Sequence, residues 1–127
     1  MIHVLDAGVD TLYWSAAPEA GSWYDAAIAA RNGAAEERRS LPWRDVRGYS
    51  FEVLAHGMGM YPFVGHAAEF DVRFTDAQHI PSVFFQVRAA FIHSVGVEAA
   101  AAESLSVVSE IVGVQVRDPK PAPRRIC

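Results

Sequence analysis

Histidine, tyrosine, cysteine and paired acids are the side chains with which a small protein does chemistry near neutral pH, and this sequence disperses them. Its five histidines, His3, His56, His66, His79 and His93, stand 53, 10, 13 and 14 residues apart. Metal sites favour short paired spacings, and the single cysteine, Cys127, cannot build a cysteine-based zinc cage. No metal or other cofactor is therefore expected in the chain. His56 and His66 flank Gly57-Met58-Gly59 and could converge across a hairpin, with Tyr61, on the pocket of a small enzyme. The plainer reading makes both histidines polar loop residues.

The remaining reactive groups have ordinary explanations beside their chemical ones. Gly57-Met58-Gly59 could cradle a phosphate, but no Lys-Ser or Lys-Thr follows, and a hairpin turn accounts for it better. Ser15, Ser22 and Ser94 lack a nucleophile-elbow context. Glu69 and Asp71 share one side of a strand and could meet a divalent ion, yet Arg73 continues their row as a solvated face would. Of the tyrosines, Tyr13, Tyr24 and Tyr49 fit packed segments, which leaves Tyr61 as the one expected to be exposed. Trp43-Arg44-Asp45-Val46-Arg47 and the tail bases Arg117, Lys120, Arg124 and Arg125 are the candidate contacts for nucleic-acid phosphates, against a reading as solvated charge.

Charge distribution limits what those bases can do. The 127 residues carry a formal charge of -4, and ten of the 11 bases are arginine. Residues 1–116 hold seven Arg against 14 acids, whereas residues 117–127 hold four bases and Asp118. An acidic body with a basic tail argues against a dedicated duplex-binding module, whose affinity comes mainly from phosphate neutralisation. Apolar residues make up 51% of the chain, too many for a disordered polymer, and no run of 18 uncharged apolar residues offers a membrane span. Met1-Ile2-His3-Val4-Leu5-Asp6 lacks the basic and apolar regions of a secretory leader, so a cytoplasmic location is expected.

Hydrophobic periodicity supplies the elements that must position these groups. Leu12 and Trp14 oppose Tyr13 in a first strand, and Ser22 occupies an N-cap position before a helix running to about Arg39, with Trp23, Ala27, Ala30 and Ala34 as its stripe. Gly33 is expected to break or fray that helix. Period-two alternation then marks strands at Tyr49 to Ala55, Tyr61 to Val64, Phe70 to Phe74 and Val83 to Val87, joined too closely for helical crossovers. Phe84 falls on the less buried row of the last strand, and with Met58, Met60 and Tyr61 it could form an apolar contact patch. Val97 to Val112 returns to helical spacing, and Gly113 stands where a C-terminal cap belongs. The expected architecture is an α+β fold: an antiparallel sheet of four or five strands with two helices packed on one face. Residues 1–113 form the domain, and residues 114–127 a proline-rich basic tail or linker.

The order of three segments resembles the N-terminal part of the replication initiation factor family, the rolling-circle initiators of plasmids and phages. They are Val9-Asp10-Thr11-Leu12-Tyr13-Trp14-Ser15, Gly48-Tyr49-Ser50-Phe51, and Ile80-Pro81-Ser82-Val83-Phe84-Phe85-Gln86-Val87-Arg88 running through Phe91-Ile92-His93-Ser94-Val95-Gly96 into the last helix. The resemblance implies DNA replication as the setting, origin DNA as a partner through a fuller-length protein, and a possible homodimer. It also implies nicking by a tyrosine with magnesium or manganese, held by residues of the family that follow this helix. No catalytic residue is carried onto this chain. The expected role is a scaffold or DNA-positioning portion, with a stand-alone protein-binding or oligomerisation module, or the small enzyme above, as alternatives.

Overall fold

A computed structural model describes residues 12–113, 116 and 120–121. Within them the chain runs β1 (Leu12–Ala16), α1 (Ser22–Glu37), β2 (Leu41–Val46), β3 (Tyr49–Val53), β4 (Phe63–His66), β5 (Phe70–Phe74), β6 (Val83–Val87), α2 (Ala89–Val95), α3 (Val97–Val112) and β7 (Lys120–Pro121). The strands form one sheet in the order β2-β3-β4-β5-β6-β1-β7, every pairing antiparallel. Helix α1 carries the chain from β1, near one edge, to β2 at the other. A meander then returns to set β6 against β1.

Strand period two sorts the side chains onto two faces. Leu12, Trp14 and Ala16 stand opposite Val87, Phe85 and Val83, which in turn face Phe70, Val72 and Phe74 on β5. All nine are buried, and all three helices pack onto them through Ala27 and Ala34 of α1, Ile92 of α2, and Ala100, Val107, Val108 and Ile111 of α3. Trp14 stacks on Phe85 with ring centroids 5.0 Å apart. The α+β architecture, with helices on one face of an antiparallel sheet, is as the periodicity predicts.

The element count exceeds the expected four or five strands and two helices. β2 escaped because a bulge between Pro42 and Arg44 puts Trp43 out of phase, which erases the alternation that would mark a strand. Helix α2 has only seven residues, two turns, too few for a 3.6-residue period to declare itself. Strand β7 is two residues pairing with Trp14 and Ser15, and Val116 before it is buried, its N–H donating to Ser109 Oγ.

Helix ends follow local chemistry. Gly21, rather than Ser22, caps α1, with the Gly21 carbonyl accepting from the N–H groups of Tyr24 and Asp25. The helix passes through Gly33 without a break, since its burial of Tyr24, Ala27 and Ala34 outweighs a glycine cost of about 1 kcal/mol. Gly113 caps α3 in the left-handed region, φ 82°, as expected. The two-residue turn between β2 and β3 places Arg47 at φ 53° and Gly48 at φ 91°, both left-handed, as the twist of a tight hairpin demands.

Candidate functional site

The second face of the sheet, opposite the helices, gathers the polar and aromatic side chains that the core excludes. Two rows cross it. In one, Val64, Arg73, Phe84 and Ser15 stand opposite one another across β4, β5, β6 and β1. In the next, Glu52, His66, Asp71, Gln86 and Tyr13 do the same from β3 to β1.

The first row carries a small aromatic cluster. The β3–β4 connection folds over this face through a bridge between Met58 and Tyr61, and Tyr61 lands on Phe84 with ring centroids 6.2 Å apart. Tyr13 flanks Phe84 at 5.7 Å, and the Arg73 guanidinium carbon lies 5.1 Å from the Phe84 centroid. Phe84 is left 1% exposed and Tyr61 6%. The expected exposure of Tyr61 and of the Phe84 row is thus corrected: the folded-over loop buries both. The Tyr61 hydroxyl donates to the Pro81 carbonyl at 3.3 Å. Burial raises its pKa above the ordinary tyrosine value, with Arg73 pulling the other way.

The second row holds an ion cluster. His66 Nδ1 lies 2.6 Å from Asp71 Oδ1, while Arg88 Nη2 donates to Asp71 Oδ2 at 2.6 Å and stands 2.9 Å from His66 Nδ1. A carboxylate that close calls for the proton on Nδ1, so the approach of Arg88 Nη2 to the same nitrogen is a contact between two donors rather than a hydrogen bond. Among the described residues, no three of His, Cys, Asp and Glu converge as a metal site would require.

No protein-family model, curated protein or solved structure matches this chain. What the site does must be read from its own geometry.

The structure separates the sequence-predicted DNA contacts. Arg44 is exposed on β2, its guanidinium 5.8 Å from the Trp43 ring, and Lys120 pairs through its backbone with Ser15 on β7. Those strands are opposite edges of the sheet, six strand spacings or roughly 29 Å apart. Arg47 is committed to the fold: its Nε and Nη2 donate to the two Glu103 oxygens, each at 3.1 Å, and Tyr49 adds a hydroxyl at 3.0 Å. Hydrogen bonds from Arg47 hold the Glu103 carboxyl below its ordinary pKa against the opposing effect of burial, and Tyr49 adds to the lowering. Arg117, Arg124 and Arg125 lie outside the described residues.

The trio His56, His66 and Tyr61 is not joined by any contact among the described residues. His56 is exposed, with Nδ1 3.4 Å from the carbonyl of Gly57, while His66 is a strand residue bound to Asp71. A groove of about 510 Å³ opens elsewhere, between the β1–α1 and β5–β6 loops, lined by residues including Pro18, Glu19, Asp76, Gln78 and Ser82. No helix among the described residues is long and apolar enough to cross a membrane.

Sequence reasoning placed Asp71 and Arg73 on one strand face but missed their partners. His66 and Asp71 lie symmetrically about a tight turn, and pairing the strands through that turn would have found them. Arg88 is out of sequence reach, because its place beside Asp71 depends on how β6 docks on β5.

Proposed function

We infer that this chain is a scaffold domain that positions DNA across the face of its sheet opposite the helices, the role implied by its resemblance to the N-terminal part of replication initiators. On that reading the nicking chemistry belongs to residues outside this chain. One observation carries the proposal. On that face Arg73 has no carboxylate partner among the described residues, and its guanidinium lies over Phe84, which Tyr13 flanks from the next strand, a combination of cation and rings suited to unpaired bases and their phosphates.

The acidic body sets the expected strength. Fluorescence anisotropy with a labelled hairpin carrying a single-stranded arm should give weak binding that fades steeply as salt rises, and incubation with magnesium or manganese should leave the DNA uncut. Tight binding at physiological salt would contradict the charge argument, and no binding at low salt would overturn the reading.

A protein-contact module is the second reading, favoured by Met58 and Met60, 41% and 54% exposed at the tip of the folded-over loop. Sedimentation read together with the anisotropy separates the two, since a protein-contact module self-associates without binding DNA.

A further inference from the structure

Among the described residues three large apolar side chains stay exposed, and two of them, Met58 and Met60, stand either side of Gly59 at the tip of the β3–β4 connection. A methionine pair offers more than apolar area. Thioether sulfur is a soft, polarisable ligand on an arm with three rotatable bonds. His56, exposed two residues before Met58, adds an imidazole, and residues 53–65 contain no carboxylate and no base besides it. Thioether and imidazole without carboxylate suit Cu(I), whereas magnesium and calcium take oxygen ligands and zinc takes thiolate, imidazole or carboxylate. The histidine and cysteine spacings that argue against zinc do not count thioethers.

The backbone brings the three residues to one turn. The Met58 N–H donates to the Tyr61 carbonyl at 2.9 Å, the Tyr61 N–H donates to the Met58 carbonyl at 3.1 Å, and Gly59 between them takes φ 60°. Met58 and Met60 are thus the first and third residues of a closed β-turn, whose ends lie within about 7 Å. Gly57 packs against the Tyr61 carbonyl and Pro62 with no room for a Cβ, which holds His56 at the base of the same turn. Tyr61 is itself anchored on Phe84 and on the Pro81 carbonyl. The turn is therefore fixed in place, and only side chains need move to close on an ion. His56 Nδ1 faces the Gly57 carbonyl at 3.4 Å, an acceptor that favours the proton on Nδ1 and leaves Nε2 as the ligand nitrogen, the way metal-binding histidines are commonly oriented.

We propose that His56, Met58 and Met60 bind one Cu(I) ion at this tip. The DNA reading uses none of the three, so the site stands apart from it. The exposed methionines thereby gain a task other than apolar contact.

Anaerobic titration with Cu(I) against a chromogenic chelator, and with Ag(I) as a redox-inert substitute followed by NMR, tests the site. Every chain carries Cys127→Ser, because a cysteine thiolate is a metal ligand in its own right. Ag(I) should shift the methyl resonances of Met58 and Met60 and the ring resonances of His56, and Zn(II) should leave the two methyls unmoved. Met58→Leu and Met60→Leu keep the apolar surface and remove the sulfur, and each should weaken Cu(I) binding at least about tenfold, as should His56→Gln. Amide spectra of the metal-free variants should match the parent's, since all three side chains are exposed. Methyls that do not move with Ag(I), or leucine variants that bind Cu(I) like the parent, would overturn the proposal. A chain that takes up no metal and self-associates through the tip, undisturbed by either leucine variant, would assign the methionines to a protein contact and overturn it as well. None of these outcomes bears on the DNA reading.

Discussion

The indole Nε1 of Trp14 donates to Ser104 Oγ at 2.8 Å, and that hydroxyl donates in turn to the Ala101 carbonyl at 2.7 Å. Both residues are fully buried, so the relay fastens β1 to α3 with no water to substitute for either partner. Ser104→Ala leaves the indole N–H buried and unsatisfied, and should cost about 1–3 kcal/mol. Trp14→Phe in the Ser104→Ala background should cost less than the two separate losses combined, because the orphan is gone. Urea denaturation midpoints of the four chains check this. Independent, additive effects would show that the relay does not act as a unit.

Tyr49 and Glu103 predict how stability follows pH at both extremes. Burial and the bond to Glu103 push the Tyr49 hydroxyl up to about 12. The folded chain thus holds that proton more tightly than the unfolded one. The stabilisation is complete below about pH 10, the ordinary tyrosine value, and is lost as pH rises through about 12. Glu103 behaves oppositely: its pKa is lowered in the fold, so its contribution is present above the ordinary glutamate range and disappears as pH falls through the depressed value. Tyr49→Phe should remove the latest step of the tyrosinate absorbance titration, and Glu103→Gln should flatten the acid limb of thermal stability. A Tyr49→Phe chain with an unchanged titration would contradict the assignment.

Gly57 is held by a close approach rather than by its dihedral. A Cβ there would stand 2.2 Å from the Tyr61 carbonyl oxygen and 2.7 Å from Pro62 Cα, both backbone atoms that cannot swing aside. Gly57→Ala must therefore open the loop that brings Tyr61 onto Phe84, at a cost of about 1–3 kcal/mol. Gly59, at φ +60° with open space around it, should cost about 1 kcal/mol on the same substitution. Chemical denaturation gives the ranking, and the ring resonances of Phe84 should shift in Gly57→Ala alone. Equal costs would mean that the close approach is not what fixes the loop.

Strand alternation made five of the strands readable in advance, because Trp14, Phe51, Phe63, Val72 and Phe85 each sit on a face that must be buried, and α3 was readable because its apolar spacing is helical over 16 residues. The bulge at Trp43 and the brevity of α2 and β7 removed that periodicity, so those elements needed tertiary pairing to exist at all. The second face was harder still. Phe84 reads as the exposed half of an alternating strand, and the turn-back of Met58 to Tyr61, together with Tyr13 and Arg73, buries it. Likewise Arg47 reads as a free base until α3 brings Glu103 against it. Contacts made by register within a hairpin were partly legible, whereas contacts made between elements far apart in the chain left no local signal.

Asp71 joins a contact of each kind, His66 across its own hairpin and Arg88 from the end of β6, and its side chain is only 15% exposed where it accepts from both. Asp71→Asn removes the charge that draws these donors together and places an amide against them, so it should cost about 1–3 kcal/mol. Arg88→Gln alone should cost a comparable amount, since it leaves the carboxylate with His66 only. The double variant should be less damaged than the two single losses predict, with a coupling of at least about 0.5 kcal/mol, because charge and countercharge leave together. Thermal melts at low and high salt measure the cycle. As the carboxylate is largely shielded, the coupling should persist at high salt, unlike that of a surface pair. Additive single effects, or a coupling erased by salt, would place Arg88 in solvent rather than on Asp71.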